Sequence, residues 1–186
     1  FVFSPPSPRN LSPEAAAPLI ARVPENVSRV GLFVDPTDDL INAVLALSSL
    51  DLVQLHGSET PARVTEIKQL TNLSIMKVIK LAGPEDLASA AAYYDVADRL
   101  LFDAKAPADM KNALPGGNAL AFDWELLRDA DIPLPWMLAG GLDAENLAEA
   151  VSISGASELD VSSGVESAPG IKDLKLIKDF LSAAKG

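Results

Sequence analysis

The chain has 186 residues, enough for one domain with a real core, and its 48 % hydrophobic and 22 % charged content is that of an ordinary globular protein. Its 15 basic and 26 acidic side chains give a formal net charge of −11, which argues against nucleic acid and anionic membranes as partners but leaves room for a local anion pocket. The chain has no cysteine, so it holds no disulfide, thiolate metal site or cysteine nucleophile, and its single histidine (His56) leaves no common zinc ligand set.

Taken in chain order, apolar β-branched segments alternate with amphipathic ones. Residues 1–3 read as the tail of a strand and 4–10 (SPPSPRN) as a loop. Ser12 and Pro13 open a helix as N-cap and first helical residue. A strand is expected at 28–34, a helix at 38–50, a strand at 51–55 ending at His56-Gly57, and a helix from Thr60-Pro61 to about 70. A strand follows at 74–81, a Pro-opened helix at 84–94, and a strand at 98–102 that ends on Asp103. Residues 104–121 read as a loop containing Pro115-Gly116-Gly117. A short helix is expected at 123–129, a strand at 134–139, a helix at 143–152, a strand at 158–162 and a last helix at 173–184. No apolar run reaches the ~20 residues that span a bilayer; no signal peptide is visible, and the protein is read as cytoplasmic.

Near-continuous apolar strands, each followed by a helix, indicate parallel strands covered on both faces. The count is seven strands, the first broken at its start, where a (β/α)8 TIM barrel needs eight. The expected fold is therefore an α/β barrel forming one domain over 1–186, with strand one, helix one and the start of strand two ahead of Phe1.

Two glycine-bearing turns end the last two expected strands, in PWMLAGGLDAEN (135–146) and ELDVSSGVESAPG (158–170). These are the positions where a barrel builds its phosphate cradle. Gly140, Gly141, Ser162, Ser163 and Gly164 are thus candidates to offer backbone N–H groups to a phosphate. Either turn alone could simply end a strand. Asp103, at the end of an apolar strand, is placed at the catalytic end of such a barrel; otherwise it caps a loop. Asp160 and Ser162 share a strand face, as do Gln54 and His56. Asp35, beside Pro36, reads as a turn former.

FVFSPPSPRNLSPE (1–14), GLFVDPT (31–37), LVQLHGSETP (52–61), LLFDAK (100–105), LPGGNALAFDW (114–124), LAGGLDAENLAEA (138–150) and DVSSGVESAPGIKD (160–173) together resemble the phosphoribosylanthranilate isomerase family, in family order and across the whole chain. The resemblance implies an Amadori rearrangement in tryptophan biosynthesis, with neither metal nor redox cofactor. It implies Asp103 as general acid, Arg9 as partner of the anthranilate carboxylate, and Gln54, His56 and Asp160 as further substrate contacts. The family's general base is a cysteine on a first strand preceding Phe1, so the 186 residues are expected to be inactive by themselves. The resemblance also implies a monomer or homodimer that takes a small phosphorylated substrate. Ala119 departs from the family's usual glycine in the 114–124 loop. The alternatives are another sugar-phosphate barrel enzyme or a non-catalytic barrel that binds a phosphorylated ligand.

Overall fold

A computed structural model describes residues 1–106 and 121–185. The Pro115-Gly116-Gly117 turn and Ala119 lie outside the described residues. Among the described residues no helix is long and apolar enough to cross a membrane.

The chain forms two compact units. The first comprises residues 1–78 and 92–99. It holds β1 (Val2–Phe3), α1 (Pro13–Ile20), β2 (Val30–Phe33), α2 (Asp38–Leu47), β3 (Leu52–Leu55), α3 (Pro61–Thr71) and the start of β4 (Ser74–Leu81). The strands are parallel and each lies beside the one before it, with Val2 opposite Leu32, Val30 opposite Leu52 and Leu52 opposite Ser74. The helices start where their caps dictate. Ser12, Thr37 and Thr60 each accept the N–H of the residue three further on, and Pro13 and Pro61 take first-turn positions where no intrahelical N–H is needed. Asn72 closes α3 in the left-handed region at φ 53°.

α2 stops three residues earlier than expected. Ser48 turns extended (φ −151°) and its hydroxyl donates to the Val44 carbonyl, so the Ser-Ser pair competes with the helix. Phe3 and Phe33 stack with ring centroids 5.2 Å apart. Around them pack Ile20, Ile41, Val44, Val53, Leu55, Val64 and Ile67, all buried.

The second unit comprises residues 79–91 and 100–186. It includes the end of β4, α4 (Pro84–Ser89), most of β5 (Arg99–Ala104), β6 (Trp136–Leu138), α5 (Leu147–Ser154), the antiparallel pair β7 (Glu166–Ala168) and β8 (Ile171–Lys172), and α6 (Leu174–Ala183). β5 and β6 are parallel, with Leu100 opposite Trp136 and Phe102 opposite Leu138. The Lys105 N–H donates to the Leu81 carbonyl, so the end of β4 lies beside the end of β5. Trp124–Leu127 is a single 3-10 turn, shorter than the expected helix, capped by the Asp123 carboxylate. Ala90–Tyr93 is likewise 3-10 where α4 was expected to continue.

Two expected strands also need correcting. The segment 158–162 is not a strand. It makes one parallel bridge, Leu159 to Leu138, with the Leu138 N–H donating to Glu158 and the Asp160 N–H to Leu138. Ser162 (φ −124°, ψ −78°) and a 3-10 turn over Ser163–Val165 then bend the chain away. The strand expected to end at 102 runs through Asp103 to Ala104, and the Lys105 N–H just beyond it still donates to the Leu81 carbonyl of β4.

Candidate functional site

In the second unit Asp103 and the two predicted glycine-bearing turns come together. Asp103 is the penultimate residue of β5 and is buried, and its Oδ1 accepts the Ala104 N–H at 2.8 Å. Gly140 follows β6 at φ 92°. A Cβ on Gly140 would stand 2.7 Å from the Ala104 nitrogen and 3.2 Å from Asp103 Oδ1. Only a residue without a side chain lets this turn close on the acid.

Gly141 is also left-handed, at φ 65°. The turn that follows is pinned by its own side chains. Asn146 Nδ2 donates to the Gly141 carbonyl at 2.8 Å, while Asp143 Oδ1 accepts the N–H groups of Glu145 and Asn146. The Ser162–Gly164 turn lies directly on this one, since a Cβ on Gly164 would overlap the Leu142 carbonyl oxygen. Lys172 Nζ holds the Ser162 carbonyl at 2.8 Å and pairs with Glu166 at 2.8 Å. Asp160 is half-buried, one residue past the bridge to β6. Asp103, Gly140, Gly141 and the 162–164 turn are thus brought together, with Asp160 at the entry to that last turn.

In the first unit Gln54 and His56 meet at the end of β3. Both are buried, and Gln54 Nε2 lies 3.4 Å from His56 Nδ1. Arg9 sits in the loop after β1, half-buried, with its backbone N–H donating to Ser7 Oγ. Asp35 is a turn residue with φ 45°, and its Oδ1 accepts the Ser58 N–H at 2.7 Å.

Sequence reasoning missed Glu59 and Lys77, which form an ion pair at 2.8 Å with side chains only 1 % and 2 % exposed. The signal was available: Lys77 interrupts the otherwise apolar inner run of β4, IMKVI, where a charge needs a partner.

Parallel strands alternating with helices, with polar residues and glycine turns gathered at the strands' C-terminal ends, define the TIM-barrel class of α/β proteins. Residues 1–183 match the family model of N-(5'phosphoribosyl)anthranilate (PRA) isomerase. The chain is 56 % identical to the N-(5'-phosphoribosyl)anthranilate isomerase of Paramagnetospirillum magneticum, over 100 % of this chain and 86 % of that protein. To the Paracoccus denitrificans enzyme of the same name it is 54 % identical, over 99 % of this chain and 85 % of the other. Among solved structures it superposes on the phosphoribosyl anthranilate isomerase of Thermotoga maritima with a TM-score of 0.87 at 34 % identity, covering 100 % of this chain and 86 % of that one. A phosphoribosyl anthranilate isomerase in complex with reduced 1-(o-carboxyphenylamino)-1-deoxyribulose 5-phosphate matches at TM-score 0.82 and 33 % identity, with the same coverage. The chain belongs to the PRA isomerase family.

Proposed function

We propose that this protein converts N-(5'-phosphoribosyl)anthranilate to 1-(o-carboxyphenylamino)-1-deoxyribulose 5-phosphate, a step of tryptophan biosynthesis, by an Amadori rearrangement. Asp103 gives its proton to the furanose ring oxygen. The C1'–O bond breaks, and the anilino nitrogen lone pair forms the C1'=N bond of an open-chain iminium. A base takes the C2' proton, the electron pair moves to form the enolamine, and tautomerisation gives the ketose. Family resemblance assigns the base to a cysteine upstream of Phe1, since the 186 residues contain none.

The observation that carries the reading is the closure of the Gly140 turn onto the buried Asp103 carboxylate, with the Ser162–Gly164 turn laid against Leu142 and Asp143 just beyond it. The N–H groups of Gly141, Ser163 and Gly164 take the phosphate, which fixes the sugar ring over the acid. Arg9 pairs with the anthranilate carboxylate as a guanidinium fork, and His56, Gln54 and Asp160 line the substrate. The protein acts as a monomer or homodimer; one solved relative is described as a dimeric enzyme from which monomers were generated.

Turnover is followed by loss of the substrate's fluorescence. Asp103→Asn in the active form lowers kcat by about 10²–10⁴-fold, the range for loss of a general acid, with little change in phosphate affinity. Undiminished kcat refutes the acid assignment. Turnover by the 186 residues alone refutes the upstream base.

A further inference from the structure

Lys77 stands in β4 between Ile75, Met76, Val78 and Ile79, all buried. Its ammonium meets Glu59 Oε2 at 2.8 Å, the Gly57 carbonyl at 2.8 Å and the Leu55 carbonyl at 3.3 Å, so each of its three hydrogens has an acceptor. The Tyr93 ring lies on another side, 5.6 Å from Nζ to centroid, and its hydroxyl donates to the Glu59 carbonyl at 3.0 Å. Glu59 in turn accepts the Gly57 N–H at 3.1 Å and the Asp35 N–H at 2.8 Å. Lys77, Glu59, Leu55, Gly57, Tyr93 and Asp35 all belong to the first unit.

The placement of those bonds is selective. The Leu55 carbonyl belongs to the peptide group before His56, and the Gly57 N–H to the peptide group after it. Lys77 holds the first and Glu59 the second, so opposite charges grip both peptide planes that flank the His56 Cα. Gly57 itself has no space for a side chain, because a Cβ would fall 2.7 Å from the Asp35 nitrogen. Burying two charges gains little over an apolar pair of the same volume. Stability alone is therefore a poor account of this pair, whereas fixed geometry at His56 accounts for its bonds to the Leu55 carbonyl and the Gly57 N–H, and the bonds to the Gly57 carbonyl and the Asp35 N–H tie the adjoining turns to the same point.

We infer that Lys77 and Glu59 are positioning residues whose buried ion pair sets the backbone of His56, and with it the imidazole against Gln54, and ties the Asp35 turn to the same point. The consequence for ligand binding rests on the function proposed above; the consequence for His56 does not.

His56 is the sole histidine, so its ring gives one unambiguous NMR signal. Lys77→Met/Glu59→Gln removes both charges and keeps a carbonyl oxygen for the Gly57 and Asp35 N–H groups. The double variant keeps a cooperative thermal transition, its imidazole signal moves and broadens, and the Kd for reduced 1-(o-carboxyphenylamino)-1-deoxyribulose 5-phosphate rises about tenfold, in line with small misplacements at a site. An imidazole signal and a Kd that both match wild type overturn the inference. Should the variant not fold, the wild-type chain decides: the Gly57 amide exchanges with solvent as slowly as those of Val53 and Leu55, and exchange on the scale of an open loop overturns it. Failure of wild type to bind the probe counts against the proposed function alone, because the histidine signal and the Gly57 amide are read without ligand.

Discussion

Gly140 combines two constraints that a side chain cannot meet together: a φ of 92° and a Cβ position crowded by the Ala104 nitrogen and Asp103. Gly140→Ala is therefore expected to cost about 1–3 kcal/mol, which for a chain of this size lowers Tm by roughly 2–4 °C per kcal/mol. The same substitution pushes on Asp103 and lowers turnover further than the stability loss explains. A melt and a kcat measured on one preparation check both; an unchanged Tm sinks the argument. At this scale the Gly140-Gly141 turn was legible, because few residue types tolerate its positive φ, and so was Asp103 near its strand end. The Lys77–Glu59 pair was not singled out, because the two residues are 18 apart and only the parallel register of β3 and β4 brings their neighbourhoods together. Arg9, half-buried in its loop, owes its proposed role to the SPR match with the family and to nothing in its spacing.

Among elements, the helices capped by a Ser or Thr hydroxyl were read well at their starts, whereas α5, expected from 143, begins only at Leu147, after the turn that Asp143 pins. Ser12-Pro13 and Thr60-Pro61 cap α1 and α3 as the local chemistry requires, whereas the end of α2 depends on a serine back-bond that no periodicity reports. The expected last strand was misread because its apolar residues stop at Val161 and the following Ser-Ser-Gly turns away. The β7–β8 hairpin was missed altogether. Its strands have three and two residues and, Glu166 apart, are exposed, so neither hydrophobic alternation nor length marks them. Pro169-Gly170 was the available signal, with Gly170 at φ 82° as a type II turn demands at that place.

The hairpin's consequence is Lys172, which links Glu166 to the Ser162 carbonyl. Lys172→Met leaves the nearly buried Glu166 carboxylate, 4 % exposed, without this partner and releases the turn proposed to hold phosphate. The expected cost is about 1–3 kcal/mol in stability, the usual scale for stranding one partner of a charge-assisted bond. Inorganic phosphate binds more weakly, measured by titration calorimetry against wild type. Equal phosphate affinity in the two proteins removes the hairpin from any role at the site.

For the whole molecule the class was legible because the βα repeat is itself periodic, and charge was legible by counting. The two together determine how stability responds to acid. With 26 acidic groups against 15 basic ones, the folded chain repels itself at neutral pH, and modest acidification relieves that repulsion. Against this run the carboxylates that the fold favours in ionised form. Hydrogen bonds from the Arg29 side chain, and then from its backbone N–H, hold Asp51 down to about 2. Burial pushes Asp86 up, but bonds from Lys105 and from the Ala82 and Gly83 N–H groups outweigh it and leave it below the usual range. A carboxylate with a depressed folded pKa contributes stability that is complete above the unfolded value of about 3.9 and disappears as pH falls through the folded one. Stability should therefore hold or rise slightly from pH 7 to about 5, and then fall between about 4 and 2. Denaturation midpoints across this range test the shape, and Asp51→Asn isolates one contributor. The variant is less stable than wild type at pH 6, and the gap closes as pH approaches 2. A gap that persists unchanged at pH 2 would show that Asp51 acts through packing rather than through its charge.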